Sequence, residues 1–246
     1  MSAPLIYLIL GAVGSGRHEV VADLALFGLE PEGQTQLFVA ERHLCESRKL
    51  LVEMGANLLV DPWFMNVGNL QLEVDPEATH IFILSDGRVD PVDQVEALKN
   101  LLLNTPLELG RVITVVNCWL LNSNARLTRW YDACIHFSDV VLLNNRDGLP
   151  NKWVGAFRAR LRQNSFPCHI ALVNKGRVAN PALVLYPEPR RISLVFDDEE
   201  HLYSDDDDTT DEESVTPMVD PYFERLLSGR RIREIPDISK FLVSEE

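Results

Sequence analysis

The sequence predicts an α/β fold, a mostly parallel sheet with helices on both faces. Two observations carry this expectation. Short apolar runs alternate with segments of helical spacing along the first 196 residues, and the first run passes through a glycine-rich turn into the first helix. Leu5 to Leu10 is an unbroken apolar run ending at Gly11, as a strand buried on both faces requires. Val20, Val21, Leu24 and Ala25 then recur at helical spacing.

The same alternation continues. Leu37 to Ala40 reads as a strand, Leu44 to Met54 as a helix, and Asn57 to Val60 as a short strand. Ile81 to Leu84 is a further strand, followed by Asp90 as a helix cap and Pro91 at the first helical position. Val92, Val95, Leu98 and Leu102 line that helix's buried face. Val112 to Val116 is β-branched and central. A helix is expected from Asn124 to His136, a strand from Asp139 to Leu143, and a helix opened by Pro150 with Trp153, Phe157 and Leu161 on one face. His169 to Val173 is the last strand of the series, and Leu183 to Tyr186 and Ile192 to Phe196 are expected to form a peripheral strand pair. No internal repeat is found.

The net charge of −14 is concentrated. Asp197 to Glu213 holds eleven carboxylates and no Lys or Arg, which leaves about −3 for the remaining chain. The expected organisation is a domain over 1–196, an acidic linker over 197–216, and a C-terminal peptide over 217–246 that docks on the domain or elsewhere. Like charge of that density resists compaction, so the plain reading of the run is a solvated linker; the sharper one is a docking tail for a basic or metal-rich protein partner. No basic stripe marks a nucleic-acid binder. No apolar run reaches membrane-spanning length, and the N-terminus carries no signal-peptide pattern. The four cysteines, at 45, 118, 134 and 168, form no C-x-x-C pair and argue against a disulfide framework or a cysteine zinc site. A cytoplasmic setting without membrane or nucleic-acid partners is expected, and no metal-ligand set is identified.

Three segments carry chemistry, and each follows a strand. The first is Gly11-Ala12-Val13-Gly14-Ser15-Gly16-Arg17-His18. Gly11, Gly14 and Gly16 allow a turn with main-chain N–H groups pointing inward, and the following helix N-terminus favours an anion. Gly11, Gly14, Ser15, Gly16, Arg17 and His18 are therefore candidate phosphate-binding residues. The pattern G-x-x-x-x-G-K-[ST] has Lys where Arg17 stands and a small hydroxyl where His18 stands. Arg keeps the charge but not the compact shape, and an imidazole is a poor magnesium ligand. The alternative is a turn that only joins strand to helix.

The second segment is Leu84-Ser85-Asp86-Gly87-Arg88-Val89-Asp90-Pro91. Asp86 is the candidate catalytic residue, reaching magnesium through water or orienting an attacking water; the alternative is a helix-capping turn. The third is Asn144-Asn145-Arg146-Asp147. Asp147 can accept from the N1–H and amino group of guanine, and Asn144 can sit near its carbonyl oxygen. The alternative is an Asn/Asp-rich turn.

Taken in order, these segments resemble the CobW/HypB/UreG class of P-loop GTPases, and its CobW-like branch in particular. The similarity runs through Leu84 to Pro91, Val115-Val116-Asn117, and Ser138 to Asp147, over roughly residues 4 to 165. It implies a three-layer P-loop NTPase fold, GTP or GDP as ligand with Mg2+ as the accompanying ion, and a homodimer as one assembly. Several positions depart from the family: Arg17, His18 and Leu84 replace the phosphate Lys, the magnesium hydroxyl and an acidic residue near the γ-phosphate. Asn145 replaces the Lys of the base loop, and the C-x-C-C metal motif has no counterpart near Trp63-Phe64-Met65-Asn66. Phosphoryl transfer depends on charge and positioning by such groups. The resemblance with these losses implies a GTP-binding protein that turns GTP into GDP and phosphate slowly or not at all. The alternative is a non-enzymatic interaction module that kept the fold and lost the nucleotide.

Overall fold

The computed structural model describes residues 3–30, 33–56, 58–197 and 219–242. The acidic run beyond Asp197 lies outside the described residues. Nine strands form one sheet: β1 (Leu5–Leu10), β2 (Gln34–Ala40), β3 (Leu59–Asn66), β4 (Asn69–Gln71), β5 (Ala78–Leu84), β6 (Glu108–Asn117), β7 (Val140–Asn144), β8 (His169–Asn174) and β9 (Arg177–Val178). Their order is β4-β3-β2-β5-β1-β6-β7-β8-β9. The strands from β3 across to β8 are parallel; only the edge strands β4 and β9 run antiparallel to their neighbours.

Among the described residues, seven α-helices cover the sheet: α1 (Arg17–Gly28), α2 (Leu44–Glu53), α3 (Pro91–Leu103), α4 (Cys118–Ser123), α5 (Leu127–His136), α6 (Asn151–Gln163) and α7 (Pro181–Leu185). Side chains of β1 alternate between two cores. Ile6, Leu8 and Leu10 pack with residues of α3, α5 and α6, whereas Tyr7 and Ile9 pack with residues of α1, α2 and α7. This period of two places one helical layer on each face. The three-layer α/β architecture agrees with the expectation.

Several local expectations need correction. Leu183 to Tyr186 is not a strand: Asn180 accepts from Leu183 N–H and Pro181 occupies the first turn of α7. Its predicted partner, Ile192 to Phe196, contains no strand either. The helix expected from Asn124 begins only at Leu127 as α5, and a separate helix, α4, precedes it; Asn124 is extended between the two, with its Oδ1 accepting from Arg126 N–H. The strand expected to end at Val60 continues as β3 to Asn66 and turns back as β4.

Residues 219–242 lie against the α3–α5 face. Tyr222 and Phe223 pack on Phe137, each with ring centroids 5.7 Å apart. Asp220 accepts from Ser193 Oγ at 2.6 Å and pairs with His136 Nε2 at 2.8 Å. Arg231 spans Asp93 and Glu96 on α3.

One buried carboxylate ties the start of β7 to β6 and to the segment after α7. Asp139 accepts from Val112 N–H at 2.8 Å, Arg190 N–H at 2.7 Å and Arg191 Nη1 at 3.0 Å. Asp139 has no exposed surface, so its removal leaves the buried Val112 N–H without its carboxylate and Arg191 with Asp197 as its remaining carboxylate partner. Asp139→Ala is expected to cost about 3–5 kcal/mol. Urea unfolding reads this as a lowered midpoint, and an unchanged midpoint would refute the assignment.

Candidate functional site

In a parallel sheet the strand C-termini share one edge, and the connections leaving them meet in a crevice. Here β1, β2, β5, β7 and β8 deliver their following segments to a crevice of about 750 Å³. Its lining includes Gly14, Gly16, Arg17 and His18 from the first loop, Ser85 after β5, Asn144 to Asp147 after β7, and Asn174 to Gly176 after β8. Of the sequence candidates, Gly14, Gly16, Arg17, His18, Asn144 and Asp147 share this lining, whereas Gly11, Ser15 and Asp86 are not part of it.

The first loop is held by main-chain carbonyls. Asn144 Nδ2 donates to Ser15 O at 2.8 Å, and Asn117 Nδ2 and Asn145 Nδ2 each donate to Gly14 O at 2.9 Å. Val13 N–H donates to Gly87 O at 3.3 Å, which joins this loop to the segment after β5. Gly16 caps α1 at φ 82°, and a Cβ there would lie 2.2 Å from Asn144 Nδ2. Gly87 is equally constrained, since a Cβ would lie 2.5 Å from Gly11 O. Ser15 is fully buried, with its Oγ free of hydrogen bonds, and does not line the crevice.

Arg17 is 6 % exposed, and its Nη1 donates to the carbonyl and hydroxyl oxygens of Ser85. The side chain thus crosses from the loop to the end of β5. His18 turns toward α2, with Nε2 2.8 Å from Ser47 Oγ. Burial, the Arg17 guanidinium and His43 together push its pKa down to about 4.

Asp86 is buried against the segment after β2. It forms an ion pair with Arg42 and lies 3.9 Å from His43 Nε2. Its Oδ1 also accepts from Arg88 N–H at 3.1 Å, and Gln94 of α3 accepts from its N–H. Asn144 is buried, and one N–H of its amide is committed to Ser15 O; a primary amide carries two. Asp147 is exposed at the rim.

The donor set does not fit magnesium. That ion wants near-octahedral oxygen ligands. At the hydroxyl position stands an imidazole bonded to Ser47, and the nearby Asp86 carboxylate is paired with Arg42. Among the described residues no group of three or more His, Cys, Asp or Glu side chains is arranged to hold a metal ion.

Sequence reasoning missed Arg42, His43, Arg146 and Lys175. Arg146 Nη2 donates to Val173 O at 3.2 Å and to Asn174 Oδ1, binding the base loop to the β8–β9 turn. Lys175, at φ 50°, sits in that turn and lines the crevice. The rule of converging strand ends was available as a signal for the segments after β2 and β8. Asn145 was read only as a lost Lys, yet its amide holds Gly14 O.

The parallel sheet with a glycine loop between β1 and α1 defines a P-loop-type α/β domain. Residues 45–166 match the family model "CobW/HypB/UreG, nucleotide-binding domain", and over that span the chain is similar to this family. The match begins after the glycine-rich loop. No curated protein sequence matches the chain. Solved structures with a similar arrangement include Zn(II)-bound YjiA GTPase from E. coli, 13 % identical, covering 77 % of this chain and 67 % of that one at a TM-score of 0.45. Cell division protein ftsY from Thermotoga maritima is 14 % identical, with coverages of 75 % and 68 % and a TM-score of 0.48. The signal recognition particle receptor FtsY from Elizabethkingia anophelis is 13 % identical, with coverages of 75 % and 65 % and a TM-score of 0.49. At these TM-scores the likenesses define neither site nor function, and the fold class rests on the strand order itself. Among the described residues no helix is long and apolar enough to cross a membrane.

The pKa of His18 carries a testable consequence. Its folded value, about 4, lies below the 6.5 of an unperturbed histidine. Between those values the unfolded chain binds a proton that the folded chain does not, so stability falls as pH drops from about 6.5 to 4. Replacing His18 by Gln is expected to remove on the order of 1–3 kcal/mol of that loss. Parallel denaturation curves of wild type and H18Q at pH 7 and pH 4.5 measure it; equal pH slopes would refute it.

Proposed function

We propose that this chain binds a guanine nucleotide in the crevice, with the phosphates on residues 11–18 and the base against Asn144 and Asp147. The carrying observation is the 2.8 Å hydrogen bond from Asn144 Nδ2 to Ser15 O, which brings the two segments within the span of one nucleotide. Main-chain amides of the first turn of α1 have no intrahelical partner and favour an anion, and Arg17 adds a fixed cation. Asp147 is the acceptor for the guanine N1–H and amino group, with Lys175 close by in the same wall. The family match over residues 45–166 supports a nucleotide as the ligand class.

On this reading hydrolysis is slow or absent. Arg17 is engaged by Ser85, and the carboxylate of Asp86 is engaged by Arg42, so neither is poised to stabilise a departing phosphoryl group or to activate water. The same two contacts favour the second reading, an interaction module that no longer takes nucleotide. On either reading, a protein partner engages the acidic run or the segment after it.

A thermal shift with GDP, GTP and ATP separates the two. GDP and GTP at a hundredfold excess over Kd are expected to stabilise the protein by about 2–3 kcal/mol. Asp147→Ala is expected to weaken guanine nucleotides about ten- to a hundredfold while leaving ATP unchanged. Absence of any shift at millimolar nucleotide would establish the module reading.

A further inference from the structure

We infer that Arg42 takes the role that a divalent cation plays at related sites, so that the crevice accepts a nucleoside di- or triphosphate without magnesium. This rests on the nucleotide-binding reading above and concerns how the same site manages charge.

A magnesium ion at a phosphate loop does two things. It neutralises phosphate oxygens, and it occupies a nearby carboxylate that would otherwise repel them. Both tasks are met by side chains here. The Asp86 carboxylate, about 8 % exposed, is already paired with the Arg42 guanidinium delivered by the turn Glu41–His43 after β2. The second cation, Arg17, is fixed at the crevice wall by the oxygens of Ser85. The metal's ligands are missing in the same stroke. His18 carries a neutral imidazole, with one ring nitrogen committed to Ser47 Oγ, in place of a hydroxyl oxygen, and a nitrogen donor is a poor match for magnesium.

The geometry also explains why the substitutions occur together. With His18 in place of a hydroxyl, no metal would be held opposite Asp86, and an unpaired carboxylate just behind the wall formed by Ser85 and His43 would oppose a polyphosphate. Arg42 removes that charge. It does so from a half-exposed position, so the pair is formed without burying a second ion completely.

The test is the affinity of fluorescently labelled GDP and GTP for the full chain in magnesium and in EDTA. Wild-type affinity is expected to agree within about twofold in the two buffers. In EDTA, Arg42→Ala is expected to weaken binding about tenfold or more, with Arg42→Lys restoring much of it. Wild-type binding that needs magnesium by tenfold or more would overturn the inference and leave the nucleotide reading intact. Absence of binding in both buffers would instead remove the nucleotide reading, and the inference with it. Should Arg42→Ala fail to fold, the wild-type comparison alone still decides.

Discussion

The three asparagine amides on the glycine-rich loop are the constraint on which the site depends. Asn117 and Asn144 end β6 and β7, and Asn145 follows directly, so the sheet itself fixes where their amides stand. They hold the carbonyls of Gly14 and Ser15. A trans peptide is planar, so fixing the carbonyl of Ser15 toward β7 fixes the N–H of Gly16 in the opposite direction. The loop's polarity is thereby imposed from outside the loop. Positive φ at Gly16 and the close approach of Asn144 leave no room for a side chain at that point.

Around that frame the charged groups settle in pairs. Arg17 reaches Ser85, Asp86 meets Arg42, and His18 meets Ser47. Each contact links the glycine loop or β5 to the segment after a different strand. The crevice is therefore held by polar contacts between neighbouring connections, while the apolar layers on both faces hold the strands that carry them.

Much of the fold was legible because buried parallel strands write themselves as apolar runs and helices as three-to-four spacing. The runs at Leu5 and Val112 are examples, as is the Asp90-Pro91 helix start, where Asp90 accepts from Val92 N–H. The site was legible at the level of segments, since each follows a strand. Side-chain partners were not. Arg17 and Ser85 are 68 residues apart, and no local pattern announces their contact. Arg42 carries no local signal, because its meaning depends on β2 lying beside β5. The strand reading at Leu183 to Tyr186 failed for the opposite reason: apolar content outweighed a local signal, Asn180-Pro181, that marks a helix start.

The contact between Ser193 and Asp220 has a consequence for chain continuity. It brings together two points that flank the whole acidic run, and Asp220 also pairs with His136. The run is thus a circuit closed on the folded body at both ends. A protease cutting within it would leave two polypeptides that stay associated, with Tyr222, Phe223 and Arg231 still seated on α3 and α5. What such a nick removes is the covalent link between the two parts, and with it the high local concentration that favours reseating after each detachment.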